Sequence, residues 1–129
     1  MEMNHLTGAA WDCAMQLHTD LGPGLLESVY EELLAAELRR MGYTVEQQKP
    51  ISFKYKGTIL HDAFRVDLLI ESTVIIELKS VEQIMPVHCK QLLTYLRLLD
   101  LPVGLLLNFG AARLKEGTRR IINAQRCSL

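Results

Sequence analysis

Arg65-Val66-Asp67-Leu68-Leu69-Ile70-Glu71-Ser72-Thr73-Val74-Ile75-Ile76-Glu77-Leu78-Lys79 is the stretch on which the fold turns. Two apolar runs rich in β-branched residues flank a polar break at Glu71, Ser72 and Thr73, which is the pattern of a β-hairpin. Folded about Ser72, the hairpin sets Asp67 opposite Glu77, each five residues from the centre. Directly opposed side chains have Cβ atoms about 5 Å apart, and like charges there repel. Glu77 and Lys79 are two apart and share a face, while Leu78 points the other way. Two carboxylates and a lysine on one face of an apolar hairpin point to a bound divalent cation. The alternative is an ion cluster with a structural role alone. Replacing buried ion pairs by apolar residues often costs nothing, so keeping three charges here favours function.

The bulk numbers set the frame. The chain has 129 residues, so residues 1–129 are expected to form one domain. It is 49% hydrophobic and 22% charged, with a formal net charge of −1. Bulk charge therefore does not announce a nucleic-acid binder, though a local basic patch is compatible with it. Cys13, Cys89 and Cys127 form no C-x-x-C pair, which suits a reducing, cytoplasmic location. The four histidines show no zinc-ligand spacing with them. The first residues lack a basic start and an apolar run, so no secretory signal is expected. No apolar stretch approaches the roughly 20 residues of a membrane span.

Outward from the hairpin, the pattern alternates between helix and strand. Leu6, Ala10, Cys13, Ala14, Leu17 and Leu21 mark a helix over residues 5–21 with Asn4 as N-cap. Trp11 and His18 fall off this stripe or at its edge, and His18 reads as a surface or hydrogen-bonded residue. Gly22-Pro23-Gly24 ends the helix. A second helix follows from about Leu25 to Met41, closed by Gly42, with Tyr30, Leu34, Leu38 and Met41 inward and Leu26 and Leu33 beside them. Extended backwards, that stripe reaches Glu27, an acid on the inward face. Favourable placement near the helix dipole explains an acid in the first turn, but not its direction. Glu31, Glu32 and Glu37 fit a solvated face.

Residues 43–55 alternate as a strand that Pro50 splits or starts. Lys56-Gly57 is a turn, Thr58 to Asp62 begins the next strand, and an antiparallel meander of three or four strands results. Met85-Pro86 opens a helix to about Leu99, with Leu92, Leu93, Leu96 and Leu99 as its core stripe. Gln91 and Tyr95 share another line of that helix. Val103 to Phe109 is a strand buried on both faces, and the β-α-β order makes it parallel to the Glu77 strand in a right-handed unit. From Arg113 onward, five basic residues (Arg113, Lys115, Arg119, Arg120, Arg126) face one acid, Glu116. Thr118 to Ile122 reads as an edge strand there, and the basic residues are candidates for phosphate contact.

Asp67, then Glu77-x-Lys79 on a central hairpin, followed by a helix and a strand, resembles the PD-(D/E)xK nuclease superfamily. More narrowly, Gly24-Leu25-Leu26-Glu27-Ser28-Val29-Tyr30 is similar to the motif that names the GxxExxY family. Arg65 to Leu69, Glu77 to Lys79, Gln91 to Leu96 and Asn108-Phe109 resemble that family too. The resemblance implies an α/β fold of mixed α+β type. Its restriction-endonuclease-like core would be a mixed sheet of about four to five strands flanked by helices, two of them N-terminal. It implies Asp67 and Glu77 as ligands of Mg²⁺ or Mn²⁺, Lys79 at the attacking water, and Glu27 as an additional acid. Gln91 and Tyr95, with Tyr30, are implied as support for substrate or site. Val66 stands where the superfamily motif has proline, a position at which that proline is commonly lost.

The chemistry agrees with the residue types. Hard carboxylate oxygens suit Mg²⁺ and Mn²⁺, and phosphodiester hydrolysis needs a metal to polarise the phosphoryl group and acidify water. The expected activity is metal-dependent cleavage of nucleic acid, DNA before RNA, and the small size without a recognition domain favours a partner protein or a homodimer. The competing reading is a catalytically silent module on the same fold that binds nucleic acid or joins a complex.

Overall fold

The computed structural model describes residues 3–124. Its elements are α1 (Met3–Leu21), α2 (Glu27–Arg40), β1 (Val45–Tyr55), β2 (Thr58–Ile70), β3 (Val74–Lys79), α3 (Pro86–Leu99), β4 (Val103–Asn108), a 3-10 turn (Leu114–Gly117) and β5 (Thr118–Ile122). The hairpin closes about Ser72: Ile70 pairs with Val74, Leu69 with Ile75 and Leu68 with Ile76. Glu71 and Ser72 both take left-handed backbone angles in the tight turn.

The strands form one sheet in the order β1-β2-β3-β4-β5. β1, β2 and β3 are an antiparallel meander. β4 runs parallel to β3, from Val74 beside Val103 to Lys79 beside Asn108. β5 closes the far edge antiparallel to β4. A sheet position covered on both faces can be apolar throughout, and β4 is buried at every residue. The fold is thus the mixed α/β arrangement expected, with five strands and three α-helices among the described residues.

The helices divide between the two faces. Leu6, Ala10 and Ala14 of α1 and Tyr30, Leu34, Ala35 and Leu38 of α2 pack with Leu68, Ile70, Val74, Ile76 and Leu78. Leu92 and Leu96 of α3 pack on the other side with Val66, Leu69, Ile75 and Leu106. Burying each leucine, isoleucine or valine among them contributes roughly 1.5–3 kcal/mol, so β3, with apolar neighbours on both faces, is the anchor of the sheet.

Several sequence expectations change. α1 already includes Asn4, which therefore does not stand ahead of it as a cap; its carbonyl accepts from the Thr7 hydroxyl. Leu21 is exposed, and Trp11 packs partly against the core. α2 begins at Glu27 rather than Leu25, and Leu26, Leu33 and Met41 are exposed while Ala35 is buried. Leu25 and Leu26 stay outside the helix, Leu26 as its extended N-cap residue. Leu93 and Leu99 of α3 are only half-buried. Pro50 lies within β1, paired to Arg65, and does not split it; β1 is an edge strand, where a missing N–H is tolerated. Thr58 to Ile70 is one strand of 13 residues, which leaves three strands in the meander. Cys127 and Arg126 lie outside the described residues.

Candidate functional site

The β2–β3 ladder opens one residue beyond Leu68 and Ile76, where Asp67 and Glu77 come next in register. Their side chains take over. Asp67 N–H donates to Glu77 Oε2 at 2.8 Å, and Leu78 N–H donates to Asp67 Oδ2 at 2.8 Å. Each carboxylate thus caps the backbone of the opposite strand, which fixes both groups side by side at the mouth of the fork.

Glu77 is only 6% exposed. Burial and, after it, the neighbouring Asp67 push its carboxyl from the usual 4.5 up to about 8. The Asp67 N–H and then Lys79 pull the other way, less strongly. Two acids that repel across a dry gap form a place where a cation is welcome. Lys79 is half-buried, two residues on along the same face of β3. Across from it in register, Asn108 grips the following loop: Val81 N–H donates to its Oδ1 at 3.0 Å, and its Nδ2 donates to Val81 O at 2.8 Å. A Cβ on Gly110 would lie 2.3 Å from Val81 O, so only glycine lets the two segments close together.

The second helix contributes differently from the expectation. Glu27 is exposed and does not face the core; it lines a cavity of about 440 Å³ with Pro23, Gly24, Ser80, Val81 and Gly110. Glu31, expected on a solvated face, is the α2 acid linked to the pair. Gln48 Nε2 donates to Glu31 Oε1 at 2.6 Å and to Asp67 Oδ1 at 3.1 Å. Gln47 Nε2 holds the other Glu31 oxygen at 3.2 Å. Glu31 also adds slightly to the upward shift of Glu77.

Gln48 has no counterpart in the sequence reading. It sits in β1 with φ of +49°, a left-handed angle in mid-strand, between the pairs Gln47–Leu68 and Lys49–Val66. Around it both strands change sides. Val45 and Leu68 belong to the cluster under α1 and α2, whereas Ile51 and Val66 belong to the cluster under α3. Strict alternation would keep each of these pairs of positions on one face. A side chain forced into this backbone region costs on the order of 1 kcal/mol or more and is characteristic of functional sites. Glutamine carries no local signal for it.

Tyr95 of α3 stacks on Phe64 with ring centroids 4.0 Å apart, and burial, then Glu77 and Asp67, raise its phenol pKa. Gln91, one turn earlier, is exposed. Tyr30 is fully buried, stacks on Phe109 at 4.3 Å and donates to Gly22 O at 2.5 Å, so it holds the Gly22–Gly24 turn rather than meeting solvent. Ser80 Oγ ties the same turn to the end of β3 by donating to Leu25 O at 2.8 Å. His18 is buried, its Nε2 2.9 Å from Ala111 O. Arg113, Lys115, Arg119 and Arg120 are exposed at the β5 side of the sheet, with Arg120 donating to Asn4 Oδ1.

No curated protein matches this chain. One solved structure, titled "Crystal structure of SSO0001", is similar with a TM-score of 0.40 and 14% identity, over 84% of this chain. The chain spans 60% of that structure's length. The model of the PD-(D/E)XK nuclease superfamily matches residues 4–121, from the second described residue of α1 into β5, and takes in the whole fork of Asp67 and Glu77. The chain belongs to the PD-(D/E)XK nuclease superfamily.

Proposed function

We propose that this protein is a nuclease of the GxxExxY family that hydrolyses phosphodiester bonds in nucleic acid, DNA before RNA, with Mg²⁺ or Mn²⁺. It would act in the cytoplasm as a single domain, alone or as a homodimer. The observation that carries the reading is the fork itself: two carboxylates locked side by side by cross-strand N–H groups, one of them buried and pushed up to about 8.

The donor set fits a hard cation. Asp67 and Glu77 offer carboxylate oxygens, and among the described residues no group of three or more His, Cys, Asp or Glu gathers around them. Two carboxylates suit Mg²⁺, which keeps several of its waters. Such an ion would supply Lewis-acid polarisation of the scissile phosphate and a more acidic water. Lys79 would orient that water and offset negative charge as the phosphorane-like geometry develops. Gln48 and Glu31 would keep Asp67 turned into the fork, and Gln91 and Tyr95 would meet the substrate from α3. Arg113, Lys115, Arg119 and Arg120 remain available to phosphates on the far edge.

The test is cleavage of single- and double-stranded DNA and RNA with Mg²⁺ or Mn²⁺. Glu77→Ala and Lys79→Ala should each reduce the rate by at least ~10²-fold. Cleavage that survives both substitutions overturns the assignment. Wild-type protein that binds metal and nucleic acid but cuts neither DNA nor RNA supports the silent binding module instead.

A further inference from the structure

Asp67 is the root of an arm. β2 pairs with β3 through Leu68, Leu69 and Ile70, whereas its residues from Thr58 to Val66 pair with β1. The register slips between Ile51 and Phe53, where Asp62 N–H donates to Ser52 Oγ at 3.0 Å. Beyond that slip the ribbon carries Phe53, Tyr55, Ile59 and Leu60 to a two-residue turn at Lys56-Gly57, both with positive φ. The turn type favours glycine at its second position because both central residues are left-handed.

One face of this arm is a row of rings that begins at Phe64, three residues from Asp67. Tyr95 of α3 stacks on Phe64 with planes 8° apart. Phe64 meets Phe53 at 6.5 Å and 47°. Tyr55 lies two residues beyond Phe53, hence on the same face, and is 64% exposed. Leu60, paired with Phe53 across the ribbon, extends that face. Cations accompany it: Lys56 at the tip lies beside it, while the exposed Lys54 and Arg65, each next in sequence to a ring, alternate to the opposite face, against one acid, Asp62. Lys56 Nζ lies 5.4 Å from the Tyr55 ring centroid.

Exposed rings alone would suit any apolar partner, but rings interleaved with cations suit a polyanion whose flat groups are free to stack. Unpaired nucleotides have that chemistry, since each base offers a π-face and each phosphate a charge, whereas a duplex keeps its bases stacked on one another. We propose that the arm is a docking track for single-stranded nucleic acid, laying bases over Tyr55 and Phe53 and directing the strand toward the Asp67–Glu77 fork. This rests on the nuclease reading for what happens at the end of the track.

Binding is measured by fluorescence anisotropy on the wild-type chain in chelator, so that nothing is cut, with a labelled single-stranded DNA of mixed sequence and the matching duplex. The single strand should bind at least about 10-fold tighter. Tyr55→Ala should weaken single-strand binding about 5- to 100-fold, and Tyr55→Phe should preserve it. Lys56→Ala should reduce the slope of log affinity against log salt by about 0.7. Tyr55 is exposed, so an unchanged melting temperature checks that Tyr55→Ala folds. Unchanged binding by Tyr55→Ala, or tighter binding of the duplex, overturns the track. So does a Tyr55-dependent dimer in sedimentation with nucleic-acid affinity intact, which would make the arm a self-association surface. Wild-type protein that binds single strands through Tyr55 yet cuts nothing after Mg²⁺ or Mn²⁺ is added overturns the nuclease reading and leaves the track standing.

Discussion

β2 lives in two environments. On the turn side of Asp67, it and β3 are apolar and covered by helices on both faces, and Leu68, Ile70, Val74, Ile76 and Leu78 are all buried. On the arm side, every residue from Ser52 to Ala63 except Phe53 is exposed. The strand is continuous, and the change is complete at Ala63, past the buried Val66 and the half-buried Phe64. The first half supplies the free energy that keeps the fork closed against its own charge repulsion. The second half contributes little to that balance and is free to carry surface chemistry. Asp67 and Gln48 mark where both strands change sides, and Val66 and Ile51 just beyond them are the last buried residues before the arm.

Substitutions can break this contrast or sharpen it. The largest effect belongs to the covered half: Leu68→Ala should cost roughly 2–5 kcal/mol in chemical denaturation, because a fully buried leucine leaves a cavity. A loss below 1 kcal/mol would mean that the inner half is not the anchor.

Next comes the pH response of the metal-free protein. Glu77 has a folded value of about 8 against an ordinary 4.5, so the folded state holds its proton more tightly than the unfolded one. That contribution is fully present below about 4.5 and is lost as pH rises through about 8. Melting temperature should therefore fall by several degrees from pH 5 to pH 8, Glu77→Gln should flatten the fall, and Mn²⁺ should restore more stability at pH 8 than at pH 6. A flat wild-type profile would place Glu77 in a wetter setting than the structure gives it.

Gln48 tests the boundary. Gln48→Gly removes the bridge but accommodates φ of +49° without strain. Stability should stay within about 1 kcal/mol of wild type, while cleavage falls about 10- to 100-fold, as for other residues that orient a metal ligand. In the same assay Glu31→Ala should reduce cleavage more than Glu27→Ala does, and the reverse order would restore Glu27 as the working acid of α2. Smallest of all, Ile59→Ala on the arm should shift stability by less than about 0.5 kcal/mol, since its side chain is already exposed.

Much of the centre was legible in the sequence because it depends on pattern and symmetry. The hairpin register follows from apolar runs of matched length about Ser72. Pro86 announced α3, and the β-α-β order announced the parallel β4. The readings that failed concern backbone departures that no side chain advertises. Nothing about glutamine signals a left-handed residue in mid-strand, so the change of sides at Gln48 was invisible. Carrying the Tyr30–Leu34–Leu38 stripe back by three makes Glu27 read as inward, and the same phase makes Glu31 read as solvated. α2 starts only at Glu27, so that position sits at the open end of the helix and stays exposed. Alternation also broke at His61 to Ala63, where the register slips, and so one long strand looked like two.

Pro50 has a consequence outside the site. β1 and β5 are the open edges of the sheet, each a ready template for another copy's strand. Pro50 removes an N–H from one, beside the kink at Gln48 and the charge of Lys49, and the exposed Arg119 and Arg120 face outward along the other. Such features deter strand addition, so a chain whose arm displays rings and aliphatics to solvent is protected at both edges against growing into fibrils.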